Sequence, residues 1–238
     1  MPNEENLQIS VDITHFNHVP TSLDRNSFAN ILYINARSLR NSLMDIQDYI
    51  DCQNFSIHVI VIVETWITQN EAEYFNLLPY KSFHSHRRLG RGGGVAIFVH
   101  ENFDNPSILF EEDYYNNNFL IINLPQQKLK IAGIYRQPGN INDPTAHTFI
   151  SHLEKLLSKY SHMIVLGDFN INLFETSETT LNYQNAYSLN GYTLLNNLSS
   201  NFATRINHAN NTSTCLDHII SDLHFSNYNF QHNFFCLI

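Results

Sequence analysis

The chain has 238 residues, with 13 Lys plus Arg against 22 Asp plus Glu, a formal net charge of −9 and 43% hydrophobic residues. Charged residues are 15%, against roughly 25% in an average soluble protein, which excludes intrinsic disorder and coiled coil. The longest purely apolar strings are about five residues, far short of the roughly 20 needed to cross a bilayer, so no membrane span is expected.

The first ten residues, MPNEENLQIS, lack the basic start and apolar run of a secretory leader, and the chain reads as intracellular. Cys52, Cys215 and Cys236 are odd in number and without CxxC spacing, which fits reduced, buried thiols better than disulfides or a zinc site. The acidic balance repels a polyanion unless the basic residues cluster or a metal ion intervenes.

Residues 1–28 show no sustained period and read as an N-terminal extension, leaving 29–238 as one folded domain. Residues 31–34 read as a buried strand, followed by a helix carrying Leu39, Leu43, Ile46 and Ile50 at spacings of three and four. Strands are then expected at 58–63, 80–84, 95–99, 119–124 and 128–135, the last two forming a hairpin around Pro125-Gln126-Gln127. A helix over 145–160 presents Phe149, Ile150, Leu153, Leu156 and Leu157 on one face and leads into a strand at 163–166. A weaker helix over 182–198 and strands at 202–206 and 215–221 complete the pattern. Helices mixed with hairpins point to an α/β (α+β) chain with two mixed sheets packed face to face and helices outside.

The chemistry concentrates where strands end. In Leu166-Gly167-Asp168-Phe169-Asn170 an apolar strand ends in glycine and then offers a carboxylate and an amide, whose side chains share a direction if the chain stays extended. Such a pair suits activation of water and holding of a phosphate oxygen. The run 59–63 ends at Glu64, placed to bind a hard cation through oxygen. The first strand ends at Asn35 near Arg37, and the strand at 128–135 ends in Tyr135-Arg136-Gln137-Pro138. Asp217, inside the apolar run Cys215-Leu216-Asp217-His218-Ile219-Ile220, requires a partner because an unpaired buried carboxylate is costly. That partner is either backbone amides or a catalytic group it orients; His218 reads as a packing residue. His84, His86, Arg87, Arg88 and Arg91 form the one dense basic cluster, read either as a solvated loop or as a grip on DNA phosphates. Gly92-Gly93-Gly94 lacks the following Lys-Ser/Thr of a nucleotide loop and reads as a turn.

Six blocks occur in order: Asn35-Ala36-Arg37-Ser38-Leu39, Glu64-Thr65-Trp66, Arg91-Gly92-Gly93-Gly94-Val95-Ala96-Ile97, Tyr135-Arg136-Gln137-Pro138, Gly167-Asp168-Phe169-Asn170 and Leu216-Asp217-His218-Ile219. Together they resemble the endonuclease domain of non-LTR (LINE-type) retrotransposons, within the endonuclease/exonuclease/phosphatase superfamily, over about residues 30–221. The resemblance implies a four-layer α/β sandwich and metal-dependent hydrolysis that nicks DNA and leaves a 3′ hydroxyl to prime reverse transcription. It implies Mg²⁺ or Mn²⁺ on Glu64, with Asn35 setting metal and phosphate geometry, Asp168 activating water and Asn170 holding the phosphate. Tyr135 would steady the developing charge, and Asp217 would orient a histidine from a later Ser-Asp-His motif. Arg37, Arg87, Arg88, Arg91 and Arg136 are the expected DNA contacts. DNA, a reverse transcriptase domain in the same polyprotein and a nuclear location follow from the resemblance, without a visible import signal.

After Asp217 the sequence runs Ser221-Asp222-Leu223-His224 and closes on Asn233-Phe234-Phe235-Cys236-Leu237-Ile238, with no Ser-Asp-His. Asp222 and His224 read as turn residues, and His232 lacks a preceding aspartate. The expectation is a domain cut short at its carboxyl end, its closing strand missing and its activity impaired. An inactive DNA-binding remnant and a phosphatase acting on a small phosphorylated molecule stay open beside the endonuclease.

Overall fold

A computed structural model describes residues 8–12, 28–53, 56–87, 92–139, 144–196, 198, 203–207 and 212–223. Strand β1 (Gln8–Asp12), β2 (Phe28–Asn35), helix α1 (Leu39–Asp51), β3 (Val59–Val63), a 3-10 turn (Gln69–Tyr74), β4 (Tyr80–Ser85) and β5 (Val95–His100) come first. The five strands form one sheet in the order β1-β2-β3-β5-β4. Then follow β6 (Ser107–Tyr114), β7 (Asn117–Leu124), β8 (Leu129–Tyr135), α2 (Pro144–Lys159), β9 (Met163–Asp168), α3 (Glu178–Ser188), β10 (Thr193–Leu194), β11 (Arg205–Asn207), β12 (Thr212–Thr214) and β13 (Asp217–Ser221). Six of these form a second sheet in the order β10-β13-β9-β8-β7-β6, and β11 pairs with β12 alone. Each large sheet is mixed: β2 and β3 run parallel, as do β8 and β9, while β5 and β13 run antiparallel to their neighbours.

The period of two along the strands builds the layers. In β3, Val59, Val61 and Val63 join the core between the sheets, while Ile60 and Ile62 join the core under α1 with Leu39 and Ile46. In β9, Ile164 and Leu166 face the first sheet, and Met163 and Val165 face α2 and α3 with Phe149, Leu153 and Tyr183. Both strands are buried on both faces, which is why they read as unbroken apolar runs. The result is the four-layer sandwich expected from the sequence.

Four elements depart from the sequence reading. Gln8–Asp12, read as part of an extension outside the core, is strand β1, paired in parallel with β2. The helix expected over 182–198 runs instead over Glu178–Ser188, opened by the Ser177 side chain, which accepts the Thr180 N–H at 3.1 Å. Gly191, at φ +81, then turns the chain so that β10 pairs with β13. The strand expected at 202–206 is the short hairpin strand β11. Edge strand β6 escapes a period-two reading because Ile108 and Leu109 are consecutive and both exposed, at 49% and 39%. Cys215 is buried as expected, but Cys52 is exposed at the end of α1, a correction to the buried-thiol reading; Cys236 lies outside the described residues. Among the described residues no helix is long and apolar enough to cross a membrane.

His218 packs, as its place in β13 suggests. Its ring stacks on Phe169 with centroids 5.0 Å apart. Its Nδ1 lies 3.0 Å from the Tyr183 hydroxyl and its Nε2 3.0 Å from the Cys215 carbonyl. Burial lowers the imidazole from 6.5 to about 4. The unfolded chain therefore takes up this proton near pH 6.5 and the folded chain only near 4, so this contribution is complete above about 6.5 and lost as pH falls to 4. The loss amounts to about 3 kcal/mol. Asp168 and Asp217, both raised, act in the opposite sense, so the histidine's part is the difference between wild type and His218→Phe. Urea unfolding between pH 7.5 and 4.5 is expected to show a steeper fall for wild type; parallel curves would refute the assignment.

Candidate active site

Strands β2, β3, β8 and β9 all end, and β13 begins, at one edge of the space between the sheets. Register fixes who meets whom. Asp217 stands opposite Asp168 across the antiparallel β13–β9 pair, and Tyr135 stands beside Asp168 in the parallel β8–β9 pair. From the facing sheet, Asn35 lies beside Val63, whose next residue is Glu64. Gly167 permits the approach of β9 to β8: a Cβ there would collide with the Ile134 carbonyl, whose carbon would be only 2.9 Å away.

The two buried aspartates are tied to the opposite sheet. Asn35 Nδ2 donates to Asp168 Oδ2 at 3.0 Å and reaches Asp217 Oδ1 at 3.5 Å. The Tyr33 hydroxyl donates to Asp217 Oδ1 at 2.6 Å. The Asn170 N–H donates to Asp168 Oδ1 at 3.1 Å. Behind Asp217, the Thr204 hydroxyl accepts the Asp217 N–H at 3.2 Å, and Asn196 donates to the Asp217 carbonyl at 3.0 Å. Glu64 is half-buried, and the Trp66 indole N–H donates to its Oε2 at 3.0 Å.

The surrounding backbone is strained. Arg37, Ser38, Glu64, Trp66 and Asn170 all have positive φ, at 46°, 129°, 53°, 55° and 48°. The loop after β2 runs against the loop after β3, with Ser38 N–H on the Glu64 carbonyl at 3.0 Å and Leu39 N–H on that of Thr65 at 2.9 Å. Gly93 and Gly94 close the wall: the Gly94 N–H donates to Asn118 Oδ1, and the carbonyls of Gly93 and Gly94 accept from the N–H groups of Trp66 and Thr65. A Cβ at Gly93 would lie 3.0 Å from the Tyr135 ring. Such clustering fixes side chains that a relaxed turn would leave loose.

Burial chiefly, then Asp217 and Glu64, hold the Asp168 carboxyl well above the usual range, against the N–H of Asn170 and the Asn35 amide. Asp217 is raised mainly by burial, opposed by Tyr33, Thr204 and Asn35. Tyr135 is raised by burial and by Glu64 and Asp168. Like charges thus crowd a desolvated edge, and among the described residues the Asn35 Oδ1 is buried with no partner. That donor set fits a hard divalent cation. No three His, Cys, Asp or Glu side chains among the described residues are arranged to hold a metal by themselves.

The structure thus brings together Asn35, Glu64, Tyr135, Asp168 and Asp217. Arg37 is half-buried in the loop beside Glu64, and Arg87 Nη2 donates to Gln137 at 3.0 Å. Arg88, Arg91, His224 and His232 lie outside the described residues. Two readings need correction. Arg136 is 3% exposed, its guanidinium donating to the Asn170 carbonyl at 3.1 Å and lying over the Phe149 ring, so it straps the β9 turn and is no surface contact for DNA. Asn170 does not continue an extended chain beside Asp168. Its backbone is left-handed and its Nδ2 donates to the Arg136 carbonyl at 2.7 Å. The sequence reading passed over Tyr33, although it lies two residues before Asn35 and alternation puts both on the inter-sheet face. Thr204 and Asn196 gave no sequence signal, because loops bring them in.

A model of the endonuclease/exonuclease/phosphatase family matches residues 28–233. The chain belongs to that family. No curated protein sequence matches it. Among solved structures, those of similar fold include a 3′ phosphatase from Neisseria bound to product DNA hairpin, at 15% identity and TM-score 0.61, covering 80% of this chain and 85% of that one. An AP endonuclease from Archaeoglobus fulgidus matches at 15% identity and TM-score 0.56, covering 80% and 85%. The endonuclease domain of TRAS1, a telomere-specific non-LTR retrotransposon, matches at 14% identity and TM-score 0.56, covering 80% and 84%. At such identities the likeness establishes the fold of this family member alone.

If crowded carboxylates are the cost of the site, removing one charge relaxes it. Asp168→Asn is expected to stabilise the cation-free protein by about 0.5–2 kcal/mol at pH 7.5, read as a higher urea midpoint in EDTA. A variant less stable than wild type there would show that Asp168 is a structural carboxylate.

Proposed function

We propose that the chain is a divalent-metal-dependent DNA endonuclease of the retrotransposon type, nicking a target strand and leaving a 3′ hydroxyl for reverse transcription. The observation that carries this reading is the convergence of Asn35, Glu64, Tyr135, Asp168 and Asp217 on one edge, tied by the Asn35–Asp168 and Tyr33–Asp217 hydrogen bonds. The retrotransposon branch is favoured by Tyr135-Arg136-Gln137-Pro138 and by the glycine run before Val95. DNA in the nucleus as substrate, and a reverse transcriptase domain as partner, belong to the same proposal.

Glu64 and the Asn35 carbonyl would hold the Mg²⁺ or Mn²⁺, which supplies Lewis-acid polarisation of a phosphoryl oxygen and offsets local negative charge. Asp168 then accepts the proton of the attacking water as the new P–O bond forms. Its two oxygens are aimed by Asn35 and the Asn170 N–H, which leaves the carboxylate little freedom to rotate. The bond from phosphorus to the 3′ oxygen breaks, and that oxygen leaves as the new hydroxyl after taking a proton from solvent water. The Tyr135 hydroxyl stays protonated, because burial and two carboxylates raise it, and so donates to the phosphate oxygens as their charge develops. Asp217 is fixed opposite Asp168 by the Tyr33 hydroxyl. Arg37 and Arg87, on the loops flanking Glu64 and Tyr135, are the proposed contacts to the DNA backbone, with Arg88 and Arg91 beside them in sequence.

The test is nicking of supercoiled plasmid by the purified chain in Mg²⁺ or Mn²⁺. Nicking is expected, abolished by EDTA and reduced roughly 10³-fold or more by Asp168→Ala. A folded preparation that binds DNA without nicking would establish the non-catalytic remnant instead, and nicking equal in Asp168→Ala would remove Asp168 from the mechanism.

A further inference from the structure

On the far side of Arg87 from Tyr135 lies an open cavity of about 660 Å³. Its floor is formed by His84 and His86 of the β4 end, and its rim by Thr68, Gln69, Asn70 and Glu111, with Arg87 as the wall shared with the catalytic edge. That wall is thin: a Cβ on Gly93 would lie 3.2 Å from the Arg87 side chain and 3.0 Å from Tyr135. A ligand here would therefore be a near neighbour of whatever group occupies the site.

The chemistry of the floor is unusual for a surface loop. The His84 and His86 rings are parallel within 11°, with centroids 5.5 Å apart, and His84 meets the buried Phe98 edge-on. Both ring nitrogens of His84 and the Nδ1 of His86 are buried without a hydrogen-bond partner. Burial lowers His84 from 6.5 to about 4 and moves His86 the same way, so both are neutral at pH 7. A neutral imidazole carries one donor and one bare acceptor; His84 leaves both unmade, which is costly in a desolvated place, while His86 has the Ile67 backbone for one of them.

Those groups are poorly matched to phosphate. Away from Arg87, which donates to Gln137 at the shared wall, the neutral rings offer an anion no charge, and the Glu111 carboxylate on the rim repels it. They match a flat, uncharged group with donors and acceptors on its edge and faces able to stack. We propose that this cavity is a nucleobase subsite, taking a base with an exocyclic amino group from the strand flanking the scissile phosphodiester. The base lies against the imidazole faces, its amino group donates to Glu111, and its ring edge meets the amide of Asn70 or Gln69. Thymine, with no amino group, is disfavoured. The subsite rests on the DNA-substrate reading above and makes the cavity a source of target-site preference.

The test needs no turnover. Ring nitrogens of ¹⁵N-histidine-labelled protein in EDTA are followed by NMR while deoxyadenosine, deoxycytidine, thymidine or inorganic phosphate is added. Saturable shifts of His84 and His86 are expected with deoxyadenosine or deoxycytidine, with thymidine weaker roughly tenfold and phosphate without effect; His84→Ala is expected to weaken nucleoside binding roughly tenfold. Asn70→Ala, at an exposed turn position, provides a variant outside the core with the same expected direction. Shifts with phosphate alone, equal shifts with thymidine, or no shift up to the solubility of the nucleosides would overturn the proposal. Plasmid nicking is scored separately. Nucleoside binding without nicking supports the subsite and counts against the endonuclease; nicking without nucleoside binding does the reverse.

Discussion

Everything at the acidic edge depends on one pairing across two strands: Asp217 and Asp168 stand opposite each other in the β13–β9 register, both desolvated. Two carboxylates in that position repel and each loses its water. The arrangement is held because the facing sheet sends Tyr33 and Asn35 across the gap to donate to them. The sandwich is thus part of the chemistry. If β2 slipped by one residue in its pairing with β3, its donors would turn toward α1 and the two carboxylates would be left unmatched.

The same logic explains where strain is tolerated. The well-packed faces of β3, β5, β8 and β9 supply the stability, while unfavourable backbone angles gather in the loops that carry Glu64, Arg37 and Asn170. Those loops are laced to one another by main-chain hydrogen bonds, so Glu64 is presented by a rigid turn. Arg136, buried over Phe149, fixes the turn after β9 in the same way. A site built at the ends of rigid strands holds its geometry before substrate arrives, which is what water activation and charge stabilisation require.

Much of the fold was legible because its central strands are buried on both faces. Runs such as Val59–Val63 and Met163–Asp168 state their place without knowledge of their neighbours. The candidate residues were legible for a related reason: a polar group straight after such a run sits at a sheet edge. What was not legible came from long-range context. The Thr204 hydroxyl and the Asn196 amide reach Asp217 only through the loops between α3 and β13. Arg136 looked like a surface charge because nothing local shows that two carbonyls and an aromatic ring await it. Strand β6 and the end of α3 were lost to exposed apolar pairs and to a turn glycine, where local pattern and tertiary pairing disagree.

The central claim is that this acidic edge is a binding site for one divalent cation shared with a phosphodiester. Binding of Mn²⁺ to the cation-free protein, followed through the paramagnetic resonance signal of the unbound ion, tests it most directly in wild type and Glu64→Gln. The account predicts one saturable site in wild type, weakened roughly tenfold or more in the variant with its circular dichroism unchanged. Equal binding by the two proteins, or none by wild type at millimolar ion, would contradict it.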